Sequence, residues 1–150
     1  MAAKTILLIE DNPSDIELTR RALDRSRVSN ELVVVQDGQE ALDYLFGSGP
    51  YAGRDAAALP GVALLDLKLP KVPGLEVLRA IRDDPRTRRL PVVILTSSNE
   101  EQDVSCCYDL GVNSYIQKPV DFDQFRKIVS QVGLYWLVIN QLAPVQMEVV

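Results

Sequence analysis

The chain has 150 residues, 47% hydrophobic and 25% charged, with 16 Lys and Arg against 21 Asp and Glu, a net charge of −5 and no histidine. That composition belongs to one globular domain rather than to a disordered, collagen-like or disulfide-stapled chain. The charge has the wrong sign for neutralising nucleic-acid phosphates, and the lack of imidazole removes histidine acid–base catalysis, imidazole-held zinc and a phosphohistidine carrier role.

The chain opens on Met1-Ala2-Ala3-Lys4, without the basic and apolar segments of a secretory leader. Ile6–Ile9 reads as a first strand that runs into Glu10 and Asp11. Asn12 and Pro13 supply a cap and a first-turn proline for a helix over Pro13–Arg25, apolar at Ile16, Leu18, Ala22 and Leu23. Leu32–Val35 is a second strand, and Gln39–Phe46 a second helix presenting Ala41, Leu42, Leu45 and Phe46. Gly47 to Gly61 is a connection of about fifteen residues, longer than most in such domains, and reads as a surface excursion. Val62–Leu65 is a third strand ending at Asp66, followed by a helix over Leu75–Arg82 with Val77, Leu78 and Ile81 on one side.

Val92–Leu95 is a fourth strand with Thr96 at its end, and Glu100–Leu110 a polar fourth helix carrying Val104 and Leu110 and closed by Gly111. Within it Cys106 and Cys107 are adjacent, which fits neither a disulfide framework nor a metal or redox spacing and suits a reducing cytoplasm. Ser114–Gln117 is a weaker fifth strand leading to Lys118 and Pro119. Asp121 caps a last helix with Phe122, Phe125, Ile128 and Val129, extended through Leu134–Ile139 to about Gln141. That apolar run is too short to span a bilayer. The expected protein is cytoplasmic, with no membrane and no nucleic-acid partner.

Most of these strands are apolar without interruption, as strands buried on both faces of a parallel sheet must be. The fold class is therefore α/β: a five-stranded parallel doubly wound sheet with helices on both sides. In such sheets ligands bind outside the carboxyl ends of the strands, near the point where strand order reverses. Glu10, Asp11, Asp66, Thr96 and Lys118 all fall at strand ends and so should converge on one edge. Each has a local reading as well: Asp11 or Asn12 and Thr96 as caps, Asp66 in a turn, Lys118 in solvent. Taken jointly, three carboxylates repel one another unless a cation neutralises them, and Mg²⁺ suits oxygen ligands. A carboxylate can attack phosphorus, with the metal and a lysine neutralising the moving phosphoryl group. The expected chemistry is phosphoryl transfer.

The segments Ile6-Leu7-Leu8-Ile9-Glu10-Asp11-Asn12, Ala63 to Pro70 with Pro73-Gly74, Val93-Ile94-Leu95-Thr96-Ser97 and Gly111 to Pro119 together resemble the receiver domain of two-component response regulators. The likeness runs from about Lys4 to Gln131. It implies a flavodoxin-like receiver fold: a single domain over residues 1–150, with a core at about 4–131 and a C-terminal extension over 132–150 that lengthens the last helix. By the same resemblance Asp66 would accept a phosphoryl group from a histidine of a sensor kinase. Asp11, Asp66 and the backbone carbonyl of Lys68 would ligate Mg²⁺ or Mn²⁺ directly, and Glu10 mainly through water. Lys118 would pair with Asp66 and then, like the Thr96 hydroxyl, with the phosphoryl oxygens. Tyr115 matches the switch position, although tyrosine is favoured in strands anyway. Lys68 and Ser98 would influence phosphoryl lifetime, and Pro119 would follow a cis peptide bond. Glu10 departs from the commoner paired aspartates.

The long connection and the Tyr135-Trp136 pair resemble, more narrowly, the single-domain regulators of phytochrome-type histidine kinases. That implies a bacteriophytochrome-like kinase as partner and a homodimer through the fourth and fifth helices and the C-terminal extension. Tyr135, Trp136 and Leu137 could equally be buried in their own domain. No room is left for an output domain, so output would be protein contact or onward phosphorelay, with no enzymatic activity beyond the protein's own phosphorylation and dephosphorylation. The alternatives fare worse. A flavodoxin-like electron carrier lacks a hydroxyl- and glycine-rich flavin loop. An aspartate phosphatase would show Asp-x-Asp, where Asp66 is followed two places on by Lys68. Gly47-Ser48-Gly49 lacks the rest of a P-loop. A receiver that binds partners without phosphorylation is disfavoured by the intact set Asp11, Asp66, Thr96 and Lys118.

Overall fold

Residues 4–24, 30–98, 100–118, 121, 123–124 and 126–128 are described by the computed structural model. In chain order they form β1 (Lys4–Ile9), α1 (Pro13–Asp24), β2 (Asn30–Val35), α2 (Gly38–Phe46), a 3₁₀ turn (Gly49–Tyr51), β3 (Val62–Leu65), α3 (Gly74–Asp83), β4 (Val92–Thr96), α4 (Glu101–Asp109) and β5 (Ser114–Gln117). The strands pair in parallel in the order β2-β1-β3-β4-β5. This is the doubly wound sheet expected from the uninterrupted apolar runs. The chain reverses direction across the sheet between β1 and β3, and a crevice opens there at the carboxyl ends.

Alternate residues of each strand feed opposite layers, which explains why the strands carry no polar face. Leu7, Ile9, Ala63, Leu65, Val92 and Ile94 pack with Ala41, Tyr44 and Leu45 of α2, Val77, Leu78 and Ile81 of α3, and Cys107 of α4. Ile6, Leu8, Val62, Leu64, Val93 and Leu95 pack with Ile16, Ala22 and Leu23 of α1. Each fully buried leucine or isoleucine stabilises the fold by about 1.5–3 kcal/mol. The strands β1, β3 and β4, which carry Glu10, Asp66 and Thr96 at their ends, are buried along their cores.

The observed boundaries differ from the apolar pattern where polar residues join the ladder. β1 and β2 begin earlier because Lys4 pairs with Asn30 and Thr5 with Glu31. In α4 the residue fully buried in the core is Cys107, at 0% exposure; Leu110, just after the helix, packs partly buried against the same core, and Val104 is half-buried. A free cysteine acts there as a small hydrophobe. In α1 Leu18 packs partly buried against the core, and Thr19 is buried as well, its hydroxyl donating to the Asp15 carbonyl at 2.9 Å.

The connection after α2 is folded rather than loose. The rings of Tyr44 and Tyr51 meet edge to face at 5.2 Å, and the Tyr51 hydroxyl donates to Glu40 Oε2 at 2.8 Å. The Arg54 guanidinium lies 3.9 Å from the Tyr44 ring centre and donates to the Tyr44 carbonyl. Arg82 of α3 donates to the carbonyls of Leu110 and Gly111, after α4, and of Arg88 and Leu90, before β4.

Of the expected last helix, residues 123–124 and 126–128 are helical, and the Gln124 N–H donates to the Asp121 carboxylate at 2.9 Å as a cap should. The peptide before Pro119, the positions of Phe122, Phe125 and Val129, and the extension with Tyr135, Trp136 and Leu137 lie outside the described residues. No helix among the described residues is long and apolar enough to cross a membrane.

Candidate functional site

Strand register assembles the site. Ile9 lies opposite Leu65, and the Asp66 N–H donates to the Ile9 carbonyl at 3.1 Å, so Glu10 and Asp66 leave the sheet side by side. Thr96 lies opposite Gln117, and the Lys118 N–H donates to the Thr96 carbonyl at 2.7 Å. The five residues expected to converge therefore do so. Glu10, Asp66 and Thr96 are buried, at 1%, 7% and 0% exposure, while Asp11 is exposed.

Glu10 turns back on its own chain: its Oε2 accepts from the N–H groups of Asp11 and Asn12 at 3.1 and 3.3 Å, and its Oε1 accepts from Lys118 Nζ. Asp66 Oδ1 accepts from the Lys68 N–H at 3.0 Å, and Oδ2 from Lys118 Nζ at 3.2 Å. A third carboxylate also holds the amine: Asp15 Oδ2 lies 2.7 Å from Lys118 Nζ. Asp15 was not among the expected residues, because an acid in the first turn of a helix ordinarily reads as a partner of the helix dipole. The available signal was its spacing, one turn beyond Asp11 on α1.

The two central carboxylates titrate in opposite directions. Burial raises the Glu10 pKa to about 7, with the Asp66 charge adding to the effect and Lys118 opposing it. Burial acts to raise Asp66 too, but the Lys68 N–H, the Thr96 hydroxyl and the Lys118 ammonium outweigh it and hold Asp66 below its ordinary value. Lys118 is raised in spite of its own burial, by hydrogen bonds to Asp15 and Glu10 and by the charges of Glu10 and Asp66. Of these two carboxylates, Asp66 is the one held ionised near neutral pH. Glu10, Asp11 and Asp66 each place a carboxylate oxygen within 4.8 Å of the others. An all-oxygen set of this kind suits a hard divalent ion such as Mg²⁺ or Mn²⁺.

The loop that follows Asp66 is clamped from two sides. A Cβ on Gly74 would stand 2.3 Å from the Asp66 carbonyl oxygen, and one on Gly38 would stand 2.0 Å from the Val72 carbonyl oxygen. Both positions thus demand glycine for close approach. The Gly38 N–H also donates to the Pro70 carbonyl at 3.2 Å, and Asp37 pairs with Lys71. On the opposite side, the Tyr115 hydroxyl donates to the Ser98 carbonyl at 2.9 Å, while Ser98 Oγ bonds Asp103 Oδ2 at 2.6 Å. The segment after Thr96 is thereby tied to β5 and to α4.

An acid cluster at the switch point of a doubly wound sheet, faced by a lysine instead of a phosphate-binding glycine loop, is the arrangement that the resemblance to receiver domains implies. Comparison with known proteins agrees: residues 6–130 match the response regulator receiver domain, and the chain belongs to that family. Response regulator Rcp1 of Synechocystis sp. is 39% identical over 134 residues, covering 89% of each chain. The probable methanogenesis regulatory protein FilR2 of Methanothrix harundinacea is 42% identical over 133 residues, covering 88% of this chain and 83% of its own. The structure of the phosphorylated cyanobacterial phytochrome response regulator RcpA is similar with a TM-score of 0.85 and 45% identity, covering 94% of this chain and 99% of that one. The Mn²⁺-bound form of Rcp1 gives a TM-score of 0.83 with 38% identity, covering 93% and 99%. The protein is a signalling receiver related to the phytochrome response regulators.

Proposed function

We propose that Asp66 accepts a phosphoryl group from a histidine of a partner sensor kinase, in a reaction that requires Mg²⁺ or Mn²⁺, and that the phosphorylated chain signals by protein contact or phosphorelay. The observation that carries this reading is the Lys118 amine bonded to Asp66 within an acid cluster, on an anion whose pKa lies below the ordinary value. The Asp66 carboxylate attacks phosphorus as the bond from phosphorus to the imidazole nitrogen breaks, and the imidazole leaves with the electron pair. Asp11, Asp66 and the Lys68 carbonyl would hold the ion, with Glu10 acting through water. When bound, the ion supplies charge neutralisation for the phosphoryl oxygens. Lys118 and the Thr96 hydroxyl supply the protein's own donors to those oxygens, and Tyr115 reports the resulting shift of the Ser98 segment to the α4 surface.

The kinase we infer is a phytochrome-type photoreceptor, on the likeness to RcpA and Rcp1. The reading includes a single receiver domain that works in the cytoplasm. The acceptor is tested with Mg²⁺ and acetyl phosphate, followed by intact-mass measurement. The wild type gains one phosphoryl group and Asp66→Asn gains none. Undiminished labelling of the variant would remove Asp66 from the role.

A further inference from the structure

Lys118 Nζ is shared by three carboxylates: Glu10 Oε1, Asp15 Oδ2 at 2.7 Å and Asp66 Oδ2 at 3.2 Å. Glu10 and Asp66 belong to the acid cluster suited to a divalent ion, and Asp15 does not. Its position is set by Asn12, whose Oδ1 accepts from the N–H groups of Ser14 and Asp15 at 2.9 and 3.2 Å and so starts α1. Serving the helix dipole would require only that Asp15 lie in the first turn. It reaches instead to an amine 103 positions away in the chain.

We propose that Asp15 is a positioning residue, which draws the Lys118 ammonium away from Asp66 in the resting protein and releases it when Asp66 takes up a phosphoryl group. This rests on the reading of Asp66 as acceptor. An ammonium has three donors, and here all three are engaged. A phosphoryl oxygen can be met only if one carboxylate gives up its share. Glu10 is buried among backbone donors and Asp66 is the group being modified. Asp15, with 30% of its side chain exposed, is the partner that water can replace with least loss. In transfer from acetyl phosphate, a bond forms from an Asp66 oxygen to phosphorus and the bond from phosphorus to the acetate oxygen breaks, acetate leaving with the electron pair. Charge builds on the phosphoryl oxygens, which is where Lys118 must go. Asp15 competes with them for it.

Asp15→Asn keeps the side chain's shape and removes its charge. In the full chain at saturating Mg²⁺, we expect its phosphorylation by acetyl phosphate to run about threefold to fivefold faster than wild type, the scale of one partly exposed ion pair. Asp15→Glu, which restores the charge, should return the rate toward wild type. A role confined to the helix dipole would also be restored by Glu, but removing the charge would weaken the helix and would not speed phosphorylation. A rate in Asp15→Asn at or below wild type, with the label still on Asp66, overturns the proposal and leaves the acceptor reading standing. A rise in Asp15→Glu equal to that in Asp15→Asn overturns it as well. Absence of label from wild-type Asp66 overturns both.

Discussion

Glu10 carries a consequence that its place beside Asp66 does not reveal at first. Its pKa moves from 4.5 to about 7 chiefly because it is buried, so between those values the folded protein holds a proton that the unfolded chain has lost. Its contribution to stability is full below 4.5 and fades as pH rises through 7, by at most about 3 kcal/mol. Asp66 works in the opposite sense: its lowered pKa contributes stability above its unfolded value that is lost as pH falls through the folded one. A divalent ion at the cluster favours ionised Glu10, so binding must expel the proton. Calorimetric titration with Mg²⁺ at pH 6, in buffers of different protonation enthalpy, should show proton release that disappears above pH 8. Heats independent of buffer at pH 6 would contradict this.

Among single residues, Asp66 and Thr96 were legible in the sequence because each stands at the end of an apolar run, and Lys118 because it follows the weaker β5; register brings the three together. Asp15 was not, since its partner is chosen by the fold and not by its neighbours. Cys107 was hidden for another reason. A polar-looking helix with a single inward thiol carries too weak an apolar pattern to reveal its buried face.

At the scale of elements, the segment from Asp66 to Gly74 owes its shape to α2 as much as to its own residues. The start of α2 approaches so closely that a side chain at Gly38 would collide with the Val72 carbonyl. Gly38→Ala is therefore expected to cost about 1–3 kcal/mol in urea unfolding and to slow labelling of Asp66, since the Lys68 peptide would shift with the segment. Unchanged stability together with an unchanged rate would show that the clamp is slack. Among the described residues, the strands and the first four helices were readable to within about two residues at their ends, as is usual for such boundaries. Contact between α2 and the segment after β3 was not readable, because Gly38 and Val72 are far apart in the chain and glycine announces only closeness, never its partner. The packing of the connection after α2 rests likewise on Tyr44, Tyr51 and Arg54, whose mutual contacts appear only once the chain has folded back.

Among the described residues, Tyr108 on α4 is the large hydrophobic side chain left exposed, at 53%. A homodimer through α4, the last helix and the C-terminal extension is the assembly we propose, and light scattering should then report twice the chain mass. A monomer at roughly tens of micromolar, with and without a phosphoryl mimic, would dismiss it. The architecture as a whole was the most legible level, because uninterrupted apolar strands permit few arrangements other than a covered parallel sheet. Arg82 lay beyond that reach: nothing in an arginine on a surface helix foretells four carbonyl acceptors.

Two of those four bonds, to Leu110 and Gly111, tie down the trailing end of α4. Arg82 thus holds the trailing end of the helix to the body, and among the described residues the leading end is bonded through Ser98 and Asp103, next to the place where phosphorus would arrive. At 1.5 Å per residue the helix is about 13 Å long, so a tilt of about 10° about the riveted end would carry the other through about 2 Å. A change of one hydrogen bond beside Thr96 is thus magnified at the leading tip and damped at the trailing one, and any partner able to sense it must grip the tip.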